Sequence, residues 1–360
     1  MTASALFSPL TVREAAFRNR LWVAPMCQYS VDRRDGVATD WHLVHLGAFA
    51  AGGAGLVIVE ATGVSPEGRI SPEDLGLWND EQRDAFARIV SFITGQGAVA
   101  GIQLAHAGRK ASTRRPWDGR GSVPLDEGGW QTVAPSAEAF TGYAAPRALT
   151  LDEIGGVVDD FRTAARRAID AGFGVIELHA AHGYLLHQFL SPLSNHRDDL
   201  YGGSLENRAR LLLEVVRAVR AEIGEGVPLF VRFSGTDWVE GGWTQEETAT
   251  VAGWAAAEGA DVMDISTGGL VAEARVPVGP LYQVPVAHFV KERIDAPVTA
   301  VGLITTPQEA EEVVATGRAD AVLMGREWLR DPHAGLRFAH ELGAEVGYWP
   351  RQYERAPYAS

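Results

Sequence analysis

Between Glu177 and Gly203 the chain reads ELHAAHGYLLHQFLSPLSNHRDDLYGG, a stretch that holds His179, His182, His187 and His196, four of its ten histidines. Imidazole titrates nearest neutrality of all side chains, so such a cluster can ligate a metal, move protons or donate hydrogen bonds to a substrate. His179 and His182 stand three positions apart, a spacing that sends side chains to opposite faces of a continuing strand; the chain must turn there for the two rings to converge. A zinc site wants a third protein ligand and usually a fourth. No HExxH pair or aspartate-rich loop accompanies them, and Cys27 is the only thiol. Three readings stay open from the residues. They are a metal site, two half-buried histidines bonded to neighbouring loops, and two N–H donors aimed at one point where negative charge grows on a substrate oxygen.

Other residues carry chemistry of their own. Cys27 follows an apolar run, a position suited either to an inert small side chain or to contact with a ligand. Arg232, after PLFV, is too costly to bury alone and calls for an anionic partner, a protein carboxylate or a bound ligand. Gly302, and Gly325 with Arg326, follow the last two apolar runs, where backbone N–H groups and a guanidinium can cradle a phosphate; the plainer reading is that the glycines serve tight turns. No GxGxxG follows a candidate strand, so a dinucleotide fold of the doubly wound kind lacks its fingerprint.

The elements that must position these residues are legible as short runs rich in Val, Ile and Leu separated by helical periodicity. Eight candidate strands centre on Leu21, Val57, Ile102, Ile176, Phe230, Met263, Thr299 and Leu323. Capping boxes at Thr150/Glu153 and Thr244/Glu247, and Thr306-Pro307-Gln308-Glu309, mark helix starts. After Thr150, a helical face of Leu151, Ile154, Val158, Phe161, Ala165, Ala168 and Ile169 is expected on the core, and a second helix is expected from about Ser204 to Ile223. Eight strand–helix units close most economically into an α/β (β/α)8 TIM barrel, an open sheet being the alternative. Two connections, Ala107 to Arg147 and Ala181 to Tyr201, exceed ordinary length and follow strands, so both belong over the C-terminal mouth. Barrel geometry would bring the strand-end residues Ala24 to Tyr29, Glu60 to Thr62, Gln103, His106, His179 to Tyr184, Arg232, Ser266 to Gly269, Gly302, Gly325 and Arg326 to one rim. The expected organisation is a single domain over 1–360, with an N-terminal cap at 1–20, a lid-like insertion at 107–147 and a C-terminal tail at 341–360.

Composition narrows the classes. A net charge of −14 without a basic block disfavours nucleic acid and an anionic membrane surface. One cysteine excludes an intrachain disulfide and a thiolate-held iron–sulfur cluster. With no signal-type N-terminus and no long apolar run, a reducing, cytoplasmic setting is expected.

Taken together, APMCQYS, EATGVSPEGRI, GIQLAHAGRK, the HAAHGYL…NHRDDLYGGSLENR string, PLFVRFS, AVGLI and ADAVLMGREWLRDP resemble the old yellow enzyme family of flavin ene-reductases over nearly the whole chain. Cys27 with Tyr29 is similar to its thermophilic-like bacterial subgroup. The resemblance implies noncovalent FMN at the barrel mouth, reduced by NADPH or NADH and reoxidised by activated alkenes or quinones. It implies that Ala24, Pro25, Met26, Cys27, Ala61 and Gln103 line the flavin, that Arg232 stands by its N1/C2 edge, and that Gly302, Gly325 and Arg326 hold the phosphate. His179 and His182 would bond the substrate oxygen, Tyr29 would bond substrate, and Tyr184 would protonate the α-carbon; no metal is implied. RQYERAPY resembles a subgroup tail whose arginine, here Arg355, enters a neighbouring subunit's site, which implies a homodimer or homotetramer.

Overall fold

The computed structural model describes residues 4–356 and 358; residues 1–3, 357, 359 and 360, at the outer ends of the expected cap and tail, lie outside the described residues. Eight strands form a closed barrel: β1 Leu21–Val23, β2 Leu56–Gly63, β3 Val99–Ala105, β4 Val175–Ala180, β5 Leu229–Ser234, β6 Val262–Ser266, β7 Val298–Ala300 and β8 Ala321–Met324. Every neighbouring pair is parallel, and β8 closes on β1. The (β/α)8 expectation holds, with each of the eight apolar runs supplying one barrel strand.

Helices return the chain after each strand: α1 Asp40–Ala51, α2 Asp80–Gly95, α3 Leu151–Asp170, α4 Leu205–Ile223, α5 Gln245–Ala257, α6 Val284–Lys291, α7 Pro307–Ala315 and α8 Ala334–Glu341. The capping boxes act as read: Thr150, Thr244 and Thr306 accept from the backbone N–H groups of Glu153, Glu247 and Glu309 at the starts of α3, α5 and α7. The expected face of α3 packs on the core: Ile154, Phe161, Ala165 and Ala168 are buried, and Val158 and Ile169 lie partly buried against it. Val157 and Ala164 widen that face, and Leu151, in the first turn, departs from the expectation at 48% exposed.

Strand alternation divides the barrel into an inner and an outer lining. On β4, Ile176, Leu178 and Ala180 join the outer core beneath the helices, while Val175, Glu177 and His179 occupy the alternate positions that turn inward. Low in the barrel the inner residues are apolar, Trp22, Leu56, Ile58, Val175, Phe230, Val262 and Leu323. A short antiparallel hairpin, Leu10–Val12 with Ala15–Phe17, covers that end by setting Phe17 4.7 Å from the Trp22 ring. Higher up, toward the strand C-termini, polar residues replace them.

The long connections have structure of their own. The segment between β3 and α3 carries two turns of 3-10 helix, Gly108–Lys110 and Leu125–Glu127, and a two-stranded parallel ribbon of Val133–Ala134 with Arg147–Ala148. The segment between β4 and α4 carries a six-residue helix, Leu185–Leu190. No helix among the described residues is long and apolar enough to cross a membrane.

Candidate active site

The polar belt inside the barrel is built by register. Gln103 on β3 lies opposite Glu177 on β4 and donates to its Oε1 at 2.7 Å. Arg232 on β5 lies opposite both His179 on β4 and Asp264 on β6, and its Nε approaches Asp264 Oδ2 at 3.1 Å. Thr299 on β7 donates to Asp264 Oδ1 at 3.0 Å. A protein carboxylate is therefore a partner of Arg232, and the guanidinium also lines a cavity. Burial raises the pKa values of Glu177, to about 8, and of Asp264; the Asp264 charge adds to the rise at Glu177, while Arg232 opposes both. Glu177 Oε2 has no hydrogen-bond partner among the described residues.

The four histidines separate by neighbourhood. His187 is fully buried, with Nε2 3.1 Å from Asp237 and Nδ1 accepting from the Gly183 N–H; exposed His196 lies 2.8 Å from Glu138. Both are tied to local structure. His179 and His182 stand with ring centroids 5.2 Å apart and planes perpendicular, and Tyr184 meets the His179 ring edge-on at 4.8 Å. The turn that the spacing demanded is made at His182 itself, whose φ is +57°, a left-handed conformation costing a non-glycine residue about 1 kcal/mol or more. Three bonds hold it there. Its N–H donates to Ser234 Oγ at 2.9 Å, its carbonyl accepts from Lys110 Nζ at 2.8 Å, and its Nε2 lies 2.7 Å from Ser266 Oγ. Gly269 packs against its backbone so closely that a Cβ would come within 2.7 Å of His182 Cα.

Neighbours also fix which nitrogens can donate. His179 Nδ1 accepts from the Ala181 N–H at 3.3 Å, which leaves the proton of the neutral ring on Nε2. Gln283 Nε2 donates to Ser266 Oγ at 3.3 Å; the Ser266 hydroxyl can then donate to His182 Nε2, leaving the ring proton on Nδ1. Burial, reinforced by the Arg232 charge, pushes both imidazole pKa values well below the ordinary range, so each ring is neutral and offers one N–H. Burial pushes the Tyr184 and Tyr29 phenols upward, and they keep their protons.

The loop after β1 is held by a bulge in β2, where the pairing shifts between Val59 and Ala61. Glu60, at the shift, accepts from the Gln28 N–H at 2.5 Å and lies 3.3 Å from His42 Nε2 in the first turn of α1. Tyr29, next in the loop, has φ +51°, and Cys27 and Tyr29 pack with Tyr184 against Ala61, Ile70 and Ala105. Burial raises the Cys27 pKa, so it is a thiol.

Two cavities open on this rim. One, of about 280 Å³, is lined by Ala24, Pro25, Met26, Arg232, Ser266, Gln283, Gly302, Gly325 and Arg326 among others. Gly302 has φ +121°, and a Cβ there would lie 2.9 Å from Gln283 Cβ, so only glycine fits. The other, of about 590 Å³, lies under the 107–147 segment with Tyr29, Lys110 and Tyr184 on its wall. His182, bonded to Ser266 of the first cavity, and His179, packed on Tyr184 of the second, lie between them. Arg355 is exposed and lines neither; its tail segment folds back on its own subunit, with Tyr353 edge-on to His333 and Tyr348 under Arg18. Gln283 and Lys110 went unread in the sequence. Gln283 stands in a loop with no strand-end signal, whereas Lys110 closes a basic Arg109-Lys110 pair just past the end of β3, a signal that was available.

A closed parallel barrel with strained, hydrogen-bonding residues on its C-terminal rim is the architecture of a barrel enzyme. Residues 5–345 match the profile of the NADH:flavin oxidoreductase / NADH oxidase family, and the chain belongs to that family. It is thus a flavin-dependent oxidoreductase working with FMN and a nicotinamide reductant. More particularly, it is 47% identical to an NADPH dehydrogenase of Listeria innocua over 354 residues, 98% of this chain and 99% of that one, and 46% identical to an NADPH dehydrogenase of Geobacillus thermodenitrificans, covering 98% of each. Among solved structures, morphinone reductase superposes with a TM-score of 0.80 at 28% identity, covering 100% of this chain and 99% of that one. The old yellow enzyme homologue of Zymomonas mobilis gives 0.78 at 30% identity, covering 98% and 99%. The resemblance carried by the motifs is thereby borne out.

Proposed function

We propose that this protein reduces the activated C=C bond of α,β-unsaturated carbonyl or nitro compounds, and also quinones or nitro groups, in a ping-pong cycle driven by NADPH or NADH through one noncovalently held FMN. The observation that carries the reading is the pair of neutral imidazoles, His179 and His182, each with one N–H free, beside a protonated Tyr184.

The smaller cavity suits FMN in its several parts. Ala24, Pro25 and Met26 offer an apolar wall to a planar ring, with Cys27, Ala61 and Gln103 close by. Arg232 donates no hydrogen bond among the described residues, which leaves its guanidinium for the electron-rich N1/C2 edge. Arg326 makes no ion pair among them either, and with the backbone at Gly302 and Gly325 it would hold a phosphate. When bound, the flavin supplies hydride chemistry, accepting from the nicotinamide and delivering to the alkene β-carbon.

The chain's own residues prepare the substrate. His179 and His182 bind the carbonyl or nitro oxygen and draw charge into it, an interaction that strengthens as enolate character develops and so favours the transition state over the bound substrate. Tyr184 keeps its proton until a strong base forms at the α-carbon, then gives it up. Tyr29 adds a further hydrogen bond to substrate, and Cys27 lies toward the reactive edge. The whole chain acts as one FMN-binding barrel domain in the cytoplasm, its 107–147 segment serving as a lid. In a homodimer or homotetramer Arg355 would enter a neighbour's site; its exposure and its absence from the linings of its own subunit's two cavities support that arrangement.

The test is spectroscopic. Purified protein should be yellow, bleach with NADPH under anaerobic conditions and recover its colour when 2-cyclohexenone is added. Folded protein that stays colourless with FMN supplied overturns the cofactor assignment; bleached protein that oxygen reoxidises but enones do not overturns the substrate class.

A further inference from the structure

We infer that the larger cavity, under the 107–147 segment, is an anion site that receives the phosphate groups of NADPH; the inference rests on the nicotinamide-driven cycle proposed above. The chain as a whole carries −14, yet this cavity is lined by Lys110, Arg114 and Arg120 and by no Asp or Glu. Such a reversal of sign in a concave wall concentrates anions locally and repels them elsewhere.

Lys110 is the informative member. Its Nζ donates to two neutral carbonyls, those of His182 at 2.8 Å and Gly269 at 2.9 Å, and pairs with no carboxylate among the described residues. The Phe140 and Tyr184 rings lie 4.8 and 5.2 Å from it. An ammonium set among rings and carbonyls without a counter-ion is unfavourable by itself and gains from an incoming anion. Burial, with Arg109 nearby, lowers its pKa to about 8, so it is still charged at neutral pH. Arg120 is exposed at the cavity edge and makes no hydrogen bond or ion pair among the described residues. Arg114 is held from outside by Glu127 at 2.7 Å, and the other carboxylate at the edge, Glu273, accepts from Thr141 at 3.1 Å.

The inner wall of this cavity is Tyr29 and Tyr184, beside His179 and His182. A ligand whose reactive ring lies against those residues would lead any anionic tail outward past Lys110 toward Arg114 and Arg120. A simple enone has no such tail. NADPH has a diphosphate and a 2′-phosphate, and NADH the diphosphate alone, so the site would bind both and favour NADPH.

The decisive measurement is anaerobic flavin reduction of the holoenzyme by three reductants: NADPH, NADH and the phosphate-free 1-benzyl-1,4-dihydronicotinamide. In the Arg114→Ser/Arg120→Ser double variant the Kd for NADPH should rise about tenfold or more, as expected for losing charge-assisted bonds to phosphate. The rise should be smaller for NADH and absent for the benzyl compound, and NADPH binding should lose much of its salt dependence. Arg120→Ser alone, at an exposed residue without hydrogen bonds or ion pairs among the described residues, should show a smaller change of the same kind and guards against a folding effect. Unchanged NADPH affinity, or an equal loss with the phosphate-free reductant, would overturn the inference while leaving the flavin cycle intact. Wild-type protein bleached by none of the three would overturn that cycle and the inference with it.

Discussion

The two ends of the barrel are built from the same strands and behave as different materials. At the N-terminal end Phe17, Trp22 and Phe230 pack ring to ring, with Trp22 and Phe230 stacked at 5.8 Å. Two residues further along, the same inward alternation yields Glu177 after Val175 on β4, Arg232 after Phe230 on β5 and Asp264 after Val262 on β6. The loops at that end also store strain, at Tyr29, Ser112, His182, Trp238, Leu281 and Leu303, all with positive φ, against Arg13 in the hairpin turn at the other. The difference teaches that stability and chemistry are segregated along the barrel axis. An apolar plug can tolerate a rim of buried charge and strained backbone that would be unaffordable without it.

That segregation can be broken from either side. The largest effect is expected from Phe17→Ala, which empties the plug without touching the rim. Loss of a fully buried phenyl should destabilise by about 3–5 kcal/mol while leaving flavin content and turnover of the folded fraction unchanged; calorimetry beside a steady-state assay checks both. A fall in turnover with little loss of stability would mean the plug shapes the rim. The converse is His179→Ala with His182→Ala. Removing donors of this kind should slow enone-dependent reoxidation by about 10²–10³-fold, with reduction by NADPH much less affected and thermal stability little lowered, because the bonds of the 182 backbone to Ser234 and Lys110 survive the loss of the ring. Equal loss in both half-reactions would point to a displaced flavin instead.

How far the sequence foretold this arrangement follows the same axis. The eight strands were legible because each is a compact Val/Ile/Leu run, and the starts of α3, α5 and α7 because a capping box is a local signal. The hairpin at Leu10–Phe17 escaped notice, since its strands are three residues long and its turn uses Arg13 at φ +49° where a glycine would have marked it. On the rim, residues inside long motifs were readable one by one, but their partnerships were not. Arg232 meets Asp264 through cross-strand register, which no local pattern encodes. The left-handed conformation of His182 was equally hidden, for a histidine announces no special φ; it is imposed by Ser234, Lys110 and Gly269, which come from three separate segments.

The smallest expected effect sharpens the comparison most, because it asks what buried charge costs at the rim. Glu177 is fully buried, accepts one hydrogen bond from Gln103, leaves Oε2 unpaired among the described residues and shares its surroundings with Asp264. Burial, with the Asp264 charge, raises its pKa from 4.5 to about 8. A carboxyl raised in the folded state gives its full contribution below the unfolded value and loses it as pH climbs from about 4.5 through about 8, where the native protein must give up a proton it holds more tightly than the unfolded chain does. Glu177→Gln replaces the neutral acid with a neutral amide of the same shape and removes that dependence. The variant should melt within a degree or so of wild type near pH 5 and a few degrees above it at pH 8.5, since a buried ionised group is replaced by one that never ionises. A difference that stays flat across this range would mean that Arg232 compensates Glu177 as well as Asp264, and that the charged rim costs the fold less than its burial implies.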